Sequence, residues 1–117
     1  MSIEHVLAVI PVADLERSQR WYESLFGRAA DNNPMPNLVE WQLVTGGWVQ
    51  VFIDDQRAGS TLVNFAVEDL AAYIDELKQR ALEPGAVVEA NKGVRLSTIV
   101  DPDGNTIRLI GGFRVQY

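Results

Sequence analysis

Cysteine is absent from the 117 residues, histidine occurs once, at His5, and lysine only at Lys78 and Lys92. Without cysteine there are no disulfides, no thiolate catalysis and no sulfur-ligated zinc site, and the chain is expected in a reducing cytoplasm. Ten basic residues stand against sixteen acidic ones, a net charge of −6. No Lys/Arg cluster offsets that balance, so a nucleic-acid partner is not expected. The longest uncharged apolar run, Val6–Ala13, is far short of the roughly 20 residues a membrane helix needs. The N-terminus has no basic segment leading into a long apolar stretch, so neither a membrane span nor a secretory leader is expected. What remains is 47% hydrophobic and 22% charged, the composition of one globular domain. Area scaling for 13.0 kDa gives a folded surface of roughly 6,300 Å² against about 19,000 Å² unfolded, enough burial for one core.

Ile3–Val12 is rich in Val, Ile and Leu and reads as a strand. Asp14 offers an N-cap, Glu16 sits in the first turn, and Leu15, Tyr22, Leu25 and Phe26 give helical spacing up to Gly27. Asp31–Asn37, with Pro34 and Pro36, is expected to be a loop. Leu38–Asp54 reads as a hairpin turning at Gly46-Gly47, and Thr61–Val67 as a strand. Asp69 caps a second helix, with Leu70, Ile74, Leu77 and Ala81 on one side, ended by Glu83-Pro84-Gly85. Ala86–Glu89 is a short strand, and Val94–Val100 with Asn105–Ile110 form a hairpin around Asp101–Gly104.

The halves repeat. An offset of 55 lays Leu7 on Leu62, Val12 on Val67, Asp14 on Asp69 and Leu15 on Leu70. Each half reads strand, helix, then two or three strands, so residues 1–117 form one domain of two modules, about 1–56 and 57–117.

Strands alternate their faces. A two-residue turn at Gly46-Gly47 pairs Thr45 with Trp48, Leu43 with Gln50 and Trp41 with Phe52, which places all six on one face. Val6, Ala8, Ile10, Val49, Val51, Ile53, Val63, Phe65 and Val67 make an apolar set suited to packing against the helices. The other set is mixed: His5, Trp41, Trp48, Gln50 and Asn64, joined by Arg95, Ser97, Ile99, Thr106, Arg108 and Ile110 from the last hairpin. Aromatic area with a few polar groups suits a ligand cup, and a partner subunit covering the same face is the competing role.

Val12-Ala13-Asp14-Leu15-Glu16-Arg17-Ser18, then Trp21-Tyr22 and Leu25-Phe26-Gly27, resembles the opening motif of the vicinal oxygen chelate superfamily, which includes glyoxalase I, bleomycin-resistance proteins and extradiol dioxygenases. Asp101-Pro102-Asp103-Gly104-Asn105 is similar to its closing turn, and Asn64-Phe65-Ala66-Val67 before Asp69-Leu70 to the start of its second module. The resemblance spans essentially the whole chain. It implies an α+β fold of two tandem βαβββ modules, a curved mixed sheet around a cup with helices on the convex face, and a homodimer.

It also implies where a metal would sit. The four ligand positions of the metal-dependent members fall on Leu7, Gln50, Leu62 and Arg108. Two leucines offer no lone pair and arginine is a fixed cation, so neither metal nor other cofactor is expected. His5 lies two residues from one of these positions and lacks an aligned carboxylate partner.

The expected function is metal-free binding of a small molecule, by sequestration, with no catalytic residue. Trp41, Trp48 and Phe52 would stack, Gln50, Asn64 and Ser97 would orient, and Arg108 with Arg95 would pair with a carboxylate or phosphate of an aromatic, anionic or zwitterionic ligand. Core packing for the tryptophans and a salt bridge for Arg108 are the plainer roles. A metal-dependent lyase, isomerase or dioxygenase is the alternative, and a dimeric module without a ligand is a third. The tail Gly111–Tyr117, with Phe113 and Tyr117, carries no readable role.

Overall fold

The computed structural model describes residues 2–116. Its elements are β1 (Val6–Val12), α1 (Leu15–Phe26), β2 (Asn32–Met35), β3 (Leu38–Val44), β4 (Gly47–Ile53), β5 (Leu62–Ala66), α2 (Leu70–Gln79), β6 (Val88–Glu89), β7 (Arg95–Val100) and β8 (Thr106–Gly111). They form two four-stranded sheets, ordered β1-β4-β3-β2 and β5-β8-β7-β6, so each half is a βαβββ unit. In both, the first strand runs parallel to the last, which the intervening helix makes possible. Among the described residues no helix is long and apolar enough to cross a membrane.

Both helices start as the sequence predicts. Asp14 accepts from the backbone N–H of Arg17 and Asp69 from that of Ala72. The second helix stops earlier than Glu83, because Ala81 turns to a left-handed φ of 64° directly after the cap at Arg80. Asn32–Met35, expected as loop, is a short exposed strand. It is an edge strand, where Pro34 costs no ladder bond, and the Asn33 amide donates to the carbonyls of Met35 and Leu38 to hold the bend.

The faces carrying Ile10, Val12, Trp41, Val49, Val51, Ile99, Ile107 and Leu109 pack with Tyr22, Leu25, Leu70, Ile74 and Leu77 of the helices in one core. These are the inner faces of the sheets. Phe26 of α1 stacks edge-on to both Trp41 and Phe65, joining the two units.

Polar groups finish that junction. At the N-terminus of α1, Asp103 accepts from the backbone of Ala13 and the guanidinium of Arg17, with Ser18 Oγ at 3.4 Å. At its C-terminus, Arg80 Nε donates to Ser24 O at 2.6 Å and Tyr73 Oη to Leu25 O at 2.6 Å. A carboxylate at the positive end and a guanidinium at the negative end both match the helix dipole. The second unit therefore caps a helix of the first. Gly27 closes α1 at φ 75°, and a Cβ there would lie 3.2 Å from the Arg80 guanidinium. Gly27→Ala is expected to cost about 1–2 kcal/mol in urea denaturation, through strain at positive φ and displacement of Arg80.

Beneath this clasp, the closing turn is a buried hydrogen-bond centre. Asp101 Oδ2 accepts from Tyr22 Oη at 2.7 Å and Asn105 Nδ2 at 2.8 Å, while Oδ1 accepts from the backbone of Asp103 and Asn105. Asn105 also donates to Pro11 O and accepts from Thr61 N. Burial and the Asp101 carboxylate push the Tyr22 hydroxyl far above its ordinary range, so it stays a donor.

Candidate functional site

The outer faces of the sheets, turned away from the core, carry the mixed residue set, though not with the membership the sequence predicts. The turn between β3 and β4 is at Thr45-Gly46, with Gly46 at φ 74° and its carbonyl accepting from Val6 N. The pairing then slips between Gln42 and Val44, which leaves Leu43 as an extra residue. Glu40 lies opposite Gln50 and Gln42 opposite Trp48. From Leu38 to Gln42 the offset from the expected pairing is odd, so these side chains change face.

Trp41 therefore leaves the site. It is fully buried, donates its indole N–H to Arg28 O at 3.1 Å, and packs against Tyr22 and Phe26. The last hairpin corrects likewise. Its five-residue turn pairs Thr98 with Arg108 and Ser97 with Leu109. Ser97 is buried on the inner face, its hydroxyl donating to Gly85 O at 2.7 Å. Arg95 lies opposite Gly111 on the Ser97 side, apart from Arg108.

Trp48, Gln50 and Phe52 do share the outer face of the first sheet, and Asn64 and Arg108 that of the second. Across the first face run three rows: Leu7, Trp48 and Gln42; Val9, Gln50 and Glu40; Pro11, Phe52 and Leu38. The middle row is polar on one side, since Gln50 Nε2 donates to Glu40 Oε1 at 2.9 Å and Asn32 Nδ2 to Glu40 Oε2 at 3.0 Å. Trp48 Nε1 donates to His5 Nδ1 at 2.9 Å, so the lone histidine serves as an acceptor for a site aromatic. Beyond this sheet, Asp31 takes bonds from Arg28 and from the backbone of Gln42, which hold its carboxyl below the usual range.

Across the second face the rows are Leu62, Thr106 and Val100; Asn64, Arg108 and Thr98; Ala66, Ile110 and Leu96. Arg108 Nε donates to Asn64 Oδ1 at 3.0 Å, and no carboxylate pairs with this half-buried guanidinium among the described residues. The faces do not cover each other within the chain: Leu7, Val9, Leu62 and Val100 remain 44–55% exposed. A separate cleft of about 630 Å³ runs between the units. It is lined by Ala8, Leu43, Val49, Val63, Phe65 and Tyr73, and reaches only Trp48 and Asn64 of the expected residues. Sequence reasoning missed Glu40, Gln42 and Thr98. Only the bulge and the turn length reveal them.

Two βαβββ units with parallel outer strand pairs and open faces of this kind recur in solved structures. The structure of this chain is similar to that of a glyoxalase / bleomycin resistance protein from Catenulispora acidiphila DSM 44928, with a TM-score of 0.86 and 29% identity over 92% of this chain and 97% of that one. A bleomycin-binding protein complexed with bleomycin matches at a TM-score of 0.78 and 19% identity, over 94% and 99% of the two chains. A lactoylglutathione lyase from Agrobacterium tumefaciens matches at 0.72 and 18%, over 92% of each. No protein-family model and no curated protein matches the sequence. These likenesses support the resemblance that the motifs carry, to the vicinal oxygen chelate superfamily and its bleomycin-resistance proteins.

The donor set does not fit a divalent metal. Leu7, Gln50, Leu62 and Arg108 all stand on the outer faces, and the only neutral oxygen donor among them, Gln50, sits beside Glu40 rather than beside a histidine. Among the described residues no three of His, Cys, Asp and Glu come together.

Proposed function

We propose that this protein is a metal-free, sequestering binder of a small molecule, acting as a homodimer. The carrying observation is the pair of outer faces. Each combines apolar or aromatic area with a hydrogen-bonded polar pair, Gln50–Glu40 on one and Asn64–Arg108 on the other, and the residues at the superfamily's ligand positions favour an organic ligand over a metal ion. The likeness to bleomycin-binding proteins supports binding as the activity.

The exposed faces support dimerisation. The chain exposes 7143 Å², about 800 Å² above the surface expected of a compact chain of its mass. Its radius of gyration, 14.5 Å, exceeds the roughly 13.4 Å of a compact domain of this length. An excess of that size is about one partner's share of a standard interface. In a two-fold dimer, the first outer face of one protomer meets the second outer face of the other, twice. This closes two equal cups, with Trp48, Gln50 and Phe52 on one wall and Asn64 and Arg108 on the other. A cytoplasmic location fits the absence of cysteine.

Metal analysis tests the reading. After incubation with excess Ni²⁺, Mn²⁺, Fe²⁺ or Zn²⁺ and dialysis, the protein is expected to retain almost none. One ion per chain or per dimer would instead favour a metal-dependent enzyme. Sedimentation is expected to give a dimer for the wild type and a monomer with unchanged far-UV dichroism for Val9→Asp.

A further inference from the structure

We propose that Glu40 is a cation-recognition residue on the outer face of the first module, so that the ligand is dipolar, with its cationic group at Glu40 and its anionic group at Arg108. The proposal rests on the sequestration reading above and decides which ligand class that site takes.

Glu40 stands in the middle of its sheet, half-buried, with each carboxylate oxygen fixed by a neutral amide, Gln50 on one and Asn32 on the other. Those bonds orient the carboxylate without neutralising it. No cation pairs with it among the described residues. The arginine that reaches β3, Arg28, is committed to Asp31 and to the Gln42 carbonyl. The other paired arginines, Arg17, Arg20 and Arg57, meet Asp103, Glu16 and Asp54, away from this face. A preoriented carboxylate without its counter-ion is an acceptor for a charged donor, and such bonds are about twice as strong as neutral ones.

The rows on either side of Gln50 place Trp48 and Phe52 next to it on β4. Aromatic faces beside a carboxylate favour an alkylammonium or guanidinium over a hydrated inorganic cation. Arg108 is the mirror case. Its guanidinium is oriented by the neutral Asn64 and meets no acid among the described residues. Two unmatched charges of opposite sign, on the two faces that a dimer brings together, suit one molecule bearing both. A purely anionic ligand would leave Glu40 desolvated and uncompensated, which costs affinity.

The test uses four phenyl compounds of one size in amide-shift NMR titrations: phenethylamine, 3-phenylpropionate, phenylalanine and the neutral phenethyl alcohol. Phenylalanine is expected to bind the wild type about tenfold more tightly than 3-phenylpropionate, the gain of one charge-assisted hydrogen bond. Glu40→Gln should abolish that advantage while leaving 3-phenylpropionate within about twofold, and Arg108→Gln should do the reverse, weakening phenylalanine towards phenethylamine. If phenylalanine and 3-phenylpropionate bind equally and Glu40→Gln alters neither, the inference falls and the binding reading stands. If no compound moves any resonance, both fall. If Glu40→Gln dissociates the dimer and the exchange of Glu40→Arg with Arg108→Glu restores it, the two residues are each other's counter-ions and the inference is overturned.

Discussion

Asp101→Ala is expected to lower the unfolding free energy by about 3–5 kcal/mol, more than any substitution on the outer faces. Asp101 is 4% exposed and its carboxylate accepts four hydrogen bonds, two from the turn backbone, one from the Asn105 side chain and one from Tyr22 of the other unit. Alanine leaves these four donors without their acceptor, three of them buried. Tyr22→Phe removes one bond and is expected to cost about 1–2 kcal/mol. The Tyr22–Asp101 bond also has a pH signature. Because the folded-state pKa of Tyr22 is raised, its contribution is complete below the ordinary tyrosine value of 10.0 and is lost as pH rises beyond it. The wild type should therefore lose stability above about pH 10 more steeply than Tyr22→Phe. Urea denaturation across pH checks all three, and an Asp101→Ala protein within about 1 kcal/mol of the wild type would remove the turn from its central place.

The second large effect separates two tryptophans seven residues apart. Trp41→Ala is expected to cost about 3–5 kcal/mol, because a fully buried indole leaves a cavity and Arg28 O loses its donor. Trp48→Ala, on a half-exposed indole, is expected to cost about 1 kcal/mol or less while weakening ligand binding. The expected two-residue turn at Gly46-Gly47 would put both on one face and give them similar, modest effects, so the comparison reads the β3 register directly.

That register marks the limit of what was legible in the sequence. Both helices were, because Asp14 and Asp69 cap them and the apolar spacing repeats. So were the long strands, the βαβββ plan of each half and the motifs that resemble those of the vicinal oxygen chelate superfamily. The inner positions of β1 and β4 follow from alternation alone, since Ile10, Val49 and Val51 are buried as expected. Alternation gives relative faces within one strand. Between strands the face depends on turn length, and Gly46-Gly47 admits more than one turn. The bulge at Leu43 shifts the parity without any compositional mark, and it exchanges Trp41 for Glu40. The five-residue turn Asp101–Asn105 does the same to Arg95 and Ser97. The short β2 was hidden by its two prolines, which an edge strand tolerates.

The clasp on α1 also sets an order of events during synthesis. Its C-terminal carbonyls wait for Tyr73 and Arg80, while Tyr22, the Arg17 guanidinium and the Ala13 amide just before the helix wait for Asp101 and Asp103. Those acids leave the ribosome about 80 residues after the helix does, some 4–16 s later at roughly 5–20 residues per second. Through that interval the first half has a nearly complete sheet and an unfinished helix. The nascent chain thus commits to its native state only once its last turn has emerged.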